Sequence, residues 1–167
     1  MKMYDVDEVV ERLARLSYEE ALAYWISGER KEAELYSELA KRAKDLGLGG
    51  ERLVETFEQL AKDSLKHAKE LNARFEREYG RKPPSEIESL EVLPVLNEFE
   101  RADQLEEVLK AAMESELIAH ESYKALSERV EDPELRELYR KLADVELKHY
   151  EALLERYEEL MREKVAP

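Results

Sequence analysis

Cysteine is absent from this chain of 167 residues, and glycine and proline are scarce, with five of each. Without cysteine the chain can form no disulfide, no thiolate-ligated iron or iron–sulfur site, and no thiol nucleophile. A bound metal ion would therefore be held by carboxylate and imidazole groups. Alternating strand patterns are nearly absent as well, and helical periodicity dominates the sequence.

Positive charge is also in short supply, because 27 Lys and Arg face 41 Asp and Glu, for a net charge of -14. This balance argues against binding nucleic acid or an anionic membrane surface. No apolar run approaches the roughly 20 residues of a membrane span. Residues 1–16 are charged throughout and lack the apolar segment of a signal peptide, so we expect a cytoplasmic protein.

A short opening helix over residues 6–16 and four long helices are predicted. The long helices are expected over residues 17–45, 51–79, 103–130 and 133–163. Ser17 with Glu20, and Asp103 with Glu106, form S-x-x-E-like capping patterns, and Asp132 followed by Pro133 suits a helix start. The "GLGG" segment at 47–50 and the "GRKPPS" segment at 80–85 end the first two long helices.

The link between the second and third long helices is long, whereas the other two links are short. Short links make antiparallel neighbours, and the long link, about residues 81–102, lets the two helices that it joins run parallel. We therefore predict an all-α, ferritin-like antiparallel four-helix bundle with one long crossover. It forms a single domain over 1–167: an N-terminal helix, a first hairpin, the crossover and a second hairpin, over 1–16, 17–79, 80–102 and 103–164.

The two predicted hairpins resemble each other in sequence. "QLAKDSLKHAKEL", which contains His67, aligns without gaps with "KLADVELKHYEAL", which contains His149. In the preceding helices Glu29 aligns with Glu116. Similarity in both helices of the pair, with the histidines in register, indicates two related helical hairpins.

Glutamate and histidine occur at spacings that suit metal binding. In Glu146-x-x-His149 the two side chains share one helix face, and Glu29 and Glu116 lie close to apolar stripes. Buried unpaired carboxylates are costly and repel one another, and bound cations relieve both penalties. Ferritin-like di-metal proteins use one Glu from each of two helices and one Glu-x-x-His from each of the others. The predicted metal ligands are Glu29, His67, Glu116, Glu146 and His149.

One position departs from this pattern, because Ser64 stands where the second Glu-x-x-His requires glutamate. A hydroxyl is a poor bridging ligand for hard cations. Three outcomes are possible. In the first, Asp63 or Glu32 substitutes for the missing carboxylate. In the second, His67 binds weakly and one ion held by Glu29, Glu116, Glu146 and His149 dominates. In the third, the site is a relic in which Ser64 simply forms a hydrogen bond.

Three further residues lie near the predicted ligands. His120 follows Glu116 by one helical turn, which places it next to the ligands or makes it a partly exposed helix residue. Tyr36 and Tyr123 lie two turns from Glu29 and Glu116, so each is either a core residue or a hydrogen-bond donor to a ligand carboxylate.

These motifs resemble the rubrerythrin branch of the ferritin-like superfamily over about residues 17–163. The resemblance rests on Glu29 to Tyr36, on Glu116 to Tyr123, and on "ELKHY" at 146–150 with its altered copy "SLKHA" at 64–68. It implies two non-haem iron ions, with peroxidase- or ferroxidase-type reactions on peroxide or oxygen. A rubredoxin domain is missing, so a redox cycle would need an external electron donor.

Two other functional hypotheses follow from the same residues. The chain is a metal-binding or metal-handling bundle for Fe, Mn or Zn without redox turnover, or it is a metal-free interaction module. Exchange of the crossover between subunits would also allow a homodimer.

Overall fold

The computed structural model describes residues 6–48, 50–84 and 102–165. Five α-helices follow one another in these ranges: α1 (Val6–Leu13), α2 (Tyr18–Asp45), α3 (Gly50–Tyr79), α4 (Leu105–Arg129) and α5 (Pro133–Val165). Within the same ranges there is no β-strand, and none of the helices combines the length and apolarity needed to cross a membrane.

Both ends of α2 form as the sequence predicts. The hydroxyl of Ser17 accepts a hydrogen bond from the N–H of Glu20, and the Glu20 carboxylate accepts one from the N–H of Ser17. At the other end Gly47 has a φ of 66°, which glycine adopts without steric cost. The N–H of Leu48 then reaches the carbonyl of Ala43 and closes the helix with a Schellman motif.

The start of α5 also agrees with prediction, whereas the starts of other elements differ. Asp132 Oδ1 accepts from the N–H of Glu134 at 2.8 Å. The capping pattern predicted for Asp103 is wrong, because a 3₁₀ turn over Ala102–Gln104 leads directly into α4 and Gln104 makes no side-chain cap. The opening helix ends at Leu13, earlier than expected. Of the predicted crossover, residues 85–101 lie outside the described part of the chain.

Two apolar layers show how the helices are oriented. One layer joins α1 to the first half of α2, the end of α3, the end of α4 and the start of α5, and Trp25 lies within it. The other joins the second half of α2 to the starts of α3 and α4 and to Leu153 of α5. Neighbours within each hairpin are therefore antiparallel, while α3 and α4 run in the same direction. This is the predicted ferritin-like bundle.

Candidate metal centre

A polar layer separates the two apolar layers at the middle of the bundle. Its buried members are all at most 4% exposed: Glu29, Ser64, Glu116, Glu146 and His149. Glu32 and His67 lie in the same layer and are partly exposed. Each of the four long helices contributes at least one of these side chains, because the apolar stripes on both sides of the layer turn these positions inward.

Four of these side chains converge closely enough to share one ion. Ligand atoms of Glu32, Glu116, Glu146 and His149 all lie within 4.8 Å of one another. His149 Nδ1 is 3.0 Å from Glu32 Oε1 and 3.8 Å from Glu116 Oε2. The hydroxyl of Tyr36 donates to Glu116 Oε1 at 2.6 Å, which orients this carboxylate toward His149.

The four-membered cluster forms the first half of the polar layer, and the remaining predicted ligands, Glu29 and His67, form the second half. His67 Nδ1 lies 3.8 Å from Glu29 Oε2, and the rings of His67 and His149 are 6.4 Å apart. The two halves are thus adjacent. The side chain of His67 is 28% exposed, compared with 5% for His149, so the second half lies closer to solvent.

Burial and mutual repulsion of the acids displace the pKa values of the first half. Burial, reinforced by the charge of Glu116, raises the pKa of Glu32 and Glu146 well above the usual range. Burial alone would raise the pKa of Glu116, but its neighbours Glu146, Glu32 and His149, which carry protons, lower it to about 2. Burial alone would lower the pKa of His149, but Glu32 and Glu116 raise it to about 11. Without metal, protons therefore compensate the charge of the cluster.

Buried polar atoms without a hydrogen-bond partner indicate whether these residues suit a metal ion. Glu29 Oε2, His67 Nδ1 and Glu116 Oε2 are buried and lack a hydrogen-bond partner among the described residues. Buried polar atoms are normally paired, so their clustering points to an absent ligand. Carboxylate and imidazole donors suit iron, manganese or zinc. The residues present therefore fit a divalent cation.

The structure shows where Ser64 and the two acids that could replace its missing carboxylate lie. Ser64 is fully buried, and its Oγ lacks a hydrogen-bond partner within the described ranges, so the expected serine hydrogen bond is not formed. Asp63 accepts from Gln59 Nε2 at 2.8 Å on the surface and does not join the cluster. Glu32 does join it. The only sequence signal for Glu32 is its spacing of one turn from Glu29 on the same helix face.

The other two neighbours belong to the surroundings of the cluster. His120 Nδ1 lies 2.7 Å from the carbonyl oxygen of Ala143, so it donates there and ties α4 to α5. The ring of Tyr123 meets Trp25 edge-on, with centroids 3.9 Å apart, in the apolar layer beside the cluster. His120 therefore links α4 to α5, and the ring of Tyr123 packs in the core.

Surface grooves along α2 and α3 are separate from the cluster. One groove of about 260 Å³ is lined in part by Arg30 and Ala68, the chain neighbours of Glu29 and His67. Another, of about 910 Å³, continues along the same two helices past Leu65. No residue of the four-membered cluster lines either groove, and neither Glu29 nor His67 does.

Comparisons with known proteins agree with this architecture. A sequence model of the family described as Rubrerythrin matches residues 20–160, a span that includes every candidate ligand. A solved structure of a hypothetical protein from Pyrococcus furiosus is 33% identical, with a TM-score of 0.69, and the match covers 92% of this chain and 96% of that one. A comparison with curated proteins finds no match for this chain.

Proposed function

This chain belongs to the rubrerythrin family, and we propose that it binds iron in its polar layer and acts as an oxidoreductase on peroxide or oxygen. The convergence of Glu32, Glu116, Glu146 and His149 within 4.8 Å carries the proposal. This arrangement brings three carboxylates and an imidazole together in a buried layer, and such a set is costly without a cation.

The ligands in this proposal come from all four long helices. The sequence predicts Glu29, His67, Glu116, Glu146 and His149 and offers Glu32 as a further candidate. The close approach of Glu32 to Glu116, Glu146 and His149 supports its inclusion. Bound iron would supply one-electron redox chemistry toward peroxide or oxygen. Manganese and zinc suit the same donors, but zinc has no redox chemistry.

The protein itself contributes orientation and exclusion of water. The Tyr36 hydroxyl fixes Glu116 through a 2.6 Å hydrogen bond, and such partners of ligand groups typically strengthen metal binding. Apolar layers around Trp25 on one side and Phe57 on the other keep water from the cluster. The sequence contains no cysteine and so cannot form a thiolate-ligated iron centre, which favours an external electron donor.

Anaerobic loading with Fe²⁺ followed by peroxide tests this function. We expect stoichiometric iron binding and stopped-flow absorbance changes faster than those of Fe²⁺ in buffer. Glu146→Gln is the matched variant, since it removes one carboxylate without changing its size. Trace iron in the loaded protein, together with oxidation no faster than in buffer, would contradict the proposal.

A second candidate is metal binding or transfer without redox turnover. Ser64 favours it, because a buried serine replaces a carboxylate in the layer. Calorimetric titration with Fe²⁺, Mn²⁺ and Zn²⁺ distinguishes the two. Tight binding without accelerated oxidation supports this candidate, and an iron-dependent reaction with peroxide rejects it.

A further inference from the structure

Four carboxylates enter the polar layer, but their positions break the symmetry of the repeat. Glu29 and Glu116 are equivalent in the two hairpins. Glu146 on α5 corresponds to Ser64 on α3, so the first hairpin lacks one carboxylate. Glu32, one turn after Glu29, corresponds to Ala119, one turn after Glu116, so the first hairpin gains one on the other helix. The number of carboxylates is the same as in a symmetric site, while one has moved from α3 to α2.

This relocation places the acids unevenly around the two histidines. Glu32 Oε1 lies 3.0 Å from His149 Nδ1, and both belong to the four-membered cluster with Glu116 and Glu146. Glu116 is 4% exposed and its Oε2 has no hydrogen-bond partner among the described side chains, so a buried acceptor remains available in this half. The half around His149 therefore holds a complete set of donors for one ion.

The half around His67 is poorer in donors and closer to water. In the described part of the chain, Glu29 is the one carboxylate within 4 Å of His67, at 3.8 Å, and the Oγ of Ser64 has no hydrogen-bond partner. His67 is also far more exposed than His149. A neutral hydroxyl in place of a carboxylate removes a full negative charge from this half, which weakens its attraction for a cation.

We propose that the chain binds two metal ions with unequal affinity, and that Glu32 supplies the carboxylate lost at Ser64. The retained ion lies among Glu32, Glu116, Glu146 and His149, and a weaker, exchangeable ion lies at Glu29 and His67. This inference rests on the proposed metal binding and adds to it the division between a retained and an exchangeable position.

Titration with Co²⁺, followed by calorimetry and visible absorbance and repeated with anaerobic Fe²⁺, tests the division. The native chain should bind one equivalent at least about tenfold more tightly than the second. Glu32→Gln should weaken the tight equivalent by about 10–100-fold. The combined variant Ser64→Glu with Glu32→Gln returns the carboxylate to α3, and we expect two equivalents of similar affinity.

Glu34→Gln is the matched control, because it makes the same change at an exposed position of α2 and should leave both equivalents unchanged. Two equal equivalents in the native chain, or a tight equivalent unaffected by Glu32→Gln, would overturn the inference while leaving the proposed metal binding intact. Binding of neither Co²⁺ nor Fe²⁺ by the native chain would instead reject the proposed function itself. Circular dichroism on each variant separates loss of ligands from loss of the fold.

Discussion

The two hairpins differ in chemistry at positions where they agree in packing. Phe57 on α3 and Tyr139 on α5 are equivalent and both fully buried. Leu60 and Leu142 are also equivalent and buried. Ser64 and its counterpart Glu146 are also both buried, yet one is a neutral hydroxyl and the other a carboxylate. Bundle geometry therefore determines which positions face inward, while the side chain at such a position can change without changing the fold.

The two equivalent histidines, His67 and His149, also differ in their surroundings. His149 lies near acids of α2 and α4 and is almost completely buried. His67 is more exposed, and among the described residues Glu29 is the one acid within 4 Å of its ring. Equivalent residues in a repeat thus have different environments. His67 lies near an acid of its own hairpin, whereas His149 lies near one acid of its own hairpin and one of the other. Divergence of one hairpin alters the surroundings of both histidines.

Removing each histidine in turn should give the largest difference between the hairpins. We expect His149→Ala to weaken binding of the first Co²⁺ by about a hundredfold, because it removes a ligand from the complete cluster. His67→Ala should leave that first equivalent nearly unchanged. Calorimetric titration of both variants measures the effect, and equal losses would show that the two halves are equivalent.

The pH dependence of the metal-free chain offers the next test. Glu32, Glu146 and His149 have raised pKa values, so the folded state keeps protons that the unfolded chain releases above their ordinary pKa values of 4.5 and 6.5. Their stabilising contribution is complete below those ordinary values and declines as the pH rises toward the raised ones. Glu116, with its pKa lowered to about 2, has the opposite effect, but only in acid.

We therefore expect the melting temperature of the chelator-treated chain to fall by several degrees between about pH 5 and pH 8, since 1 kcal/mol corresponds to about 2–4 °C at this size. Glu146→Gln should reduce this fall, and Glu151→Gln, an exposed control on α5, should not. The chain loaded with metal should show no such fall, because the ion takes the place of the protons. Stability that rises with pH in the metal-free chain would contradict the assignment.

A smaller effect is expected for the hydroxyl that holds Glu116. Tyr36→Phe removes the donor at 2.6 Å and should weaken the first metal equivalent by about tenfold. Tyr157→Phe, on a partly exposed tyrosine near Lys110, is the control. The same Co²⁺ titration reports both, and an unchanged affinity in Tyr36→Phe would mean that Glu116 is oriented by its other neighbours.

The smallest effect should come from the acid beside Ser64. Asp63 accepts a hydrogen bond from Gln59 on the surface, so Asp63→Asn should leave the number and affinity of bound ions unchanged. Metal analysis of the purified variant beside the native chain measures this. A lost equivalent would show that Asp63 moves into the layer when metal binds.

Local sequence signals were sufficient for most of the fold. The capping box at Ser17, the glycine at 47 and the Asp132–Pro133 pair each act within a few residues, so the corresponding helix ends were predictable. Asp103 carried a similar signal, but the chain forms a 3₁₀ turn there. Local signals place a helix end only to within one or two residues.

Which acid joins the cluster was decided by tertiary structure. From the sequence, Asp63 and Glu32 were both candidates to replace the missing carboxylate, because each lies about one turn from a predicted ligand. The packing of α2 against α5 brings Glu32 Oε1 to 3.0 Å from His149 Nδ1. Asp63 instead accepts a hydrogen bond from Gln59 on its own helix.

The sequence by itself determined the helices, their pairing into two related hairpins and the presence of a Glu and His layer, since these follow from periodicity, link length and repeat. The tertiary structure decided how that layer is divided, with a complete cluster at His149 and an open half at His67. The reason is physical: helical periodicity sets the face on which a side chain lies, but the distance between side chains of different hairpins depends on how those helices pack.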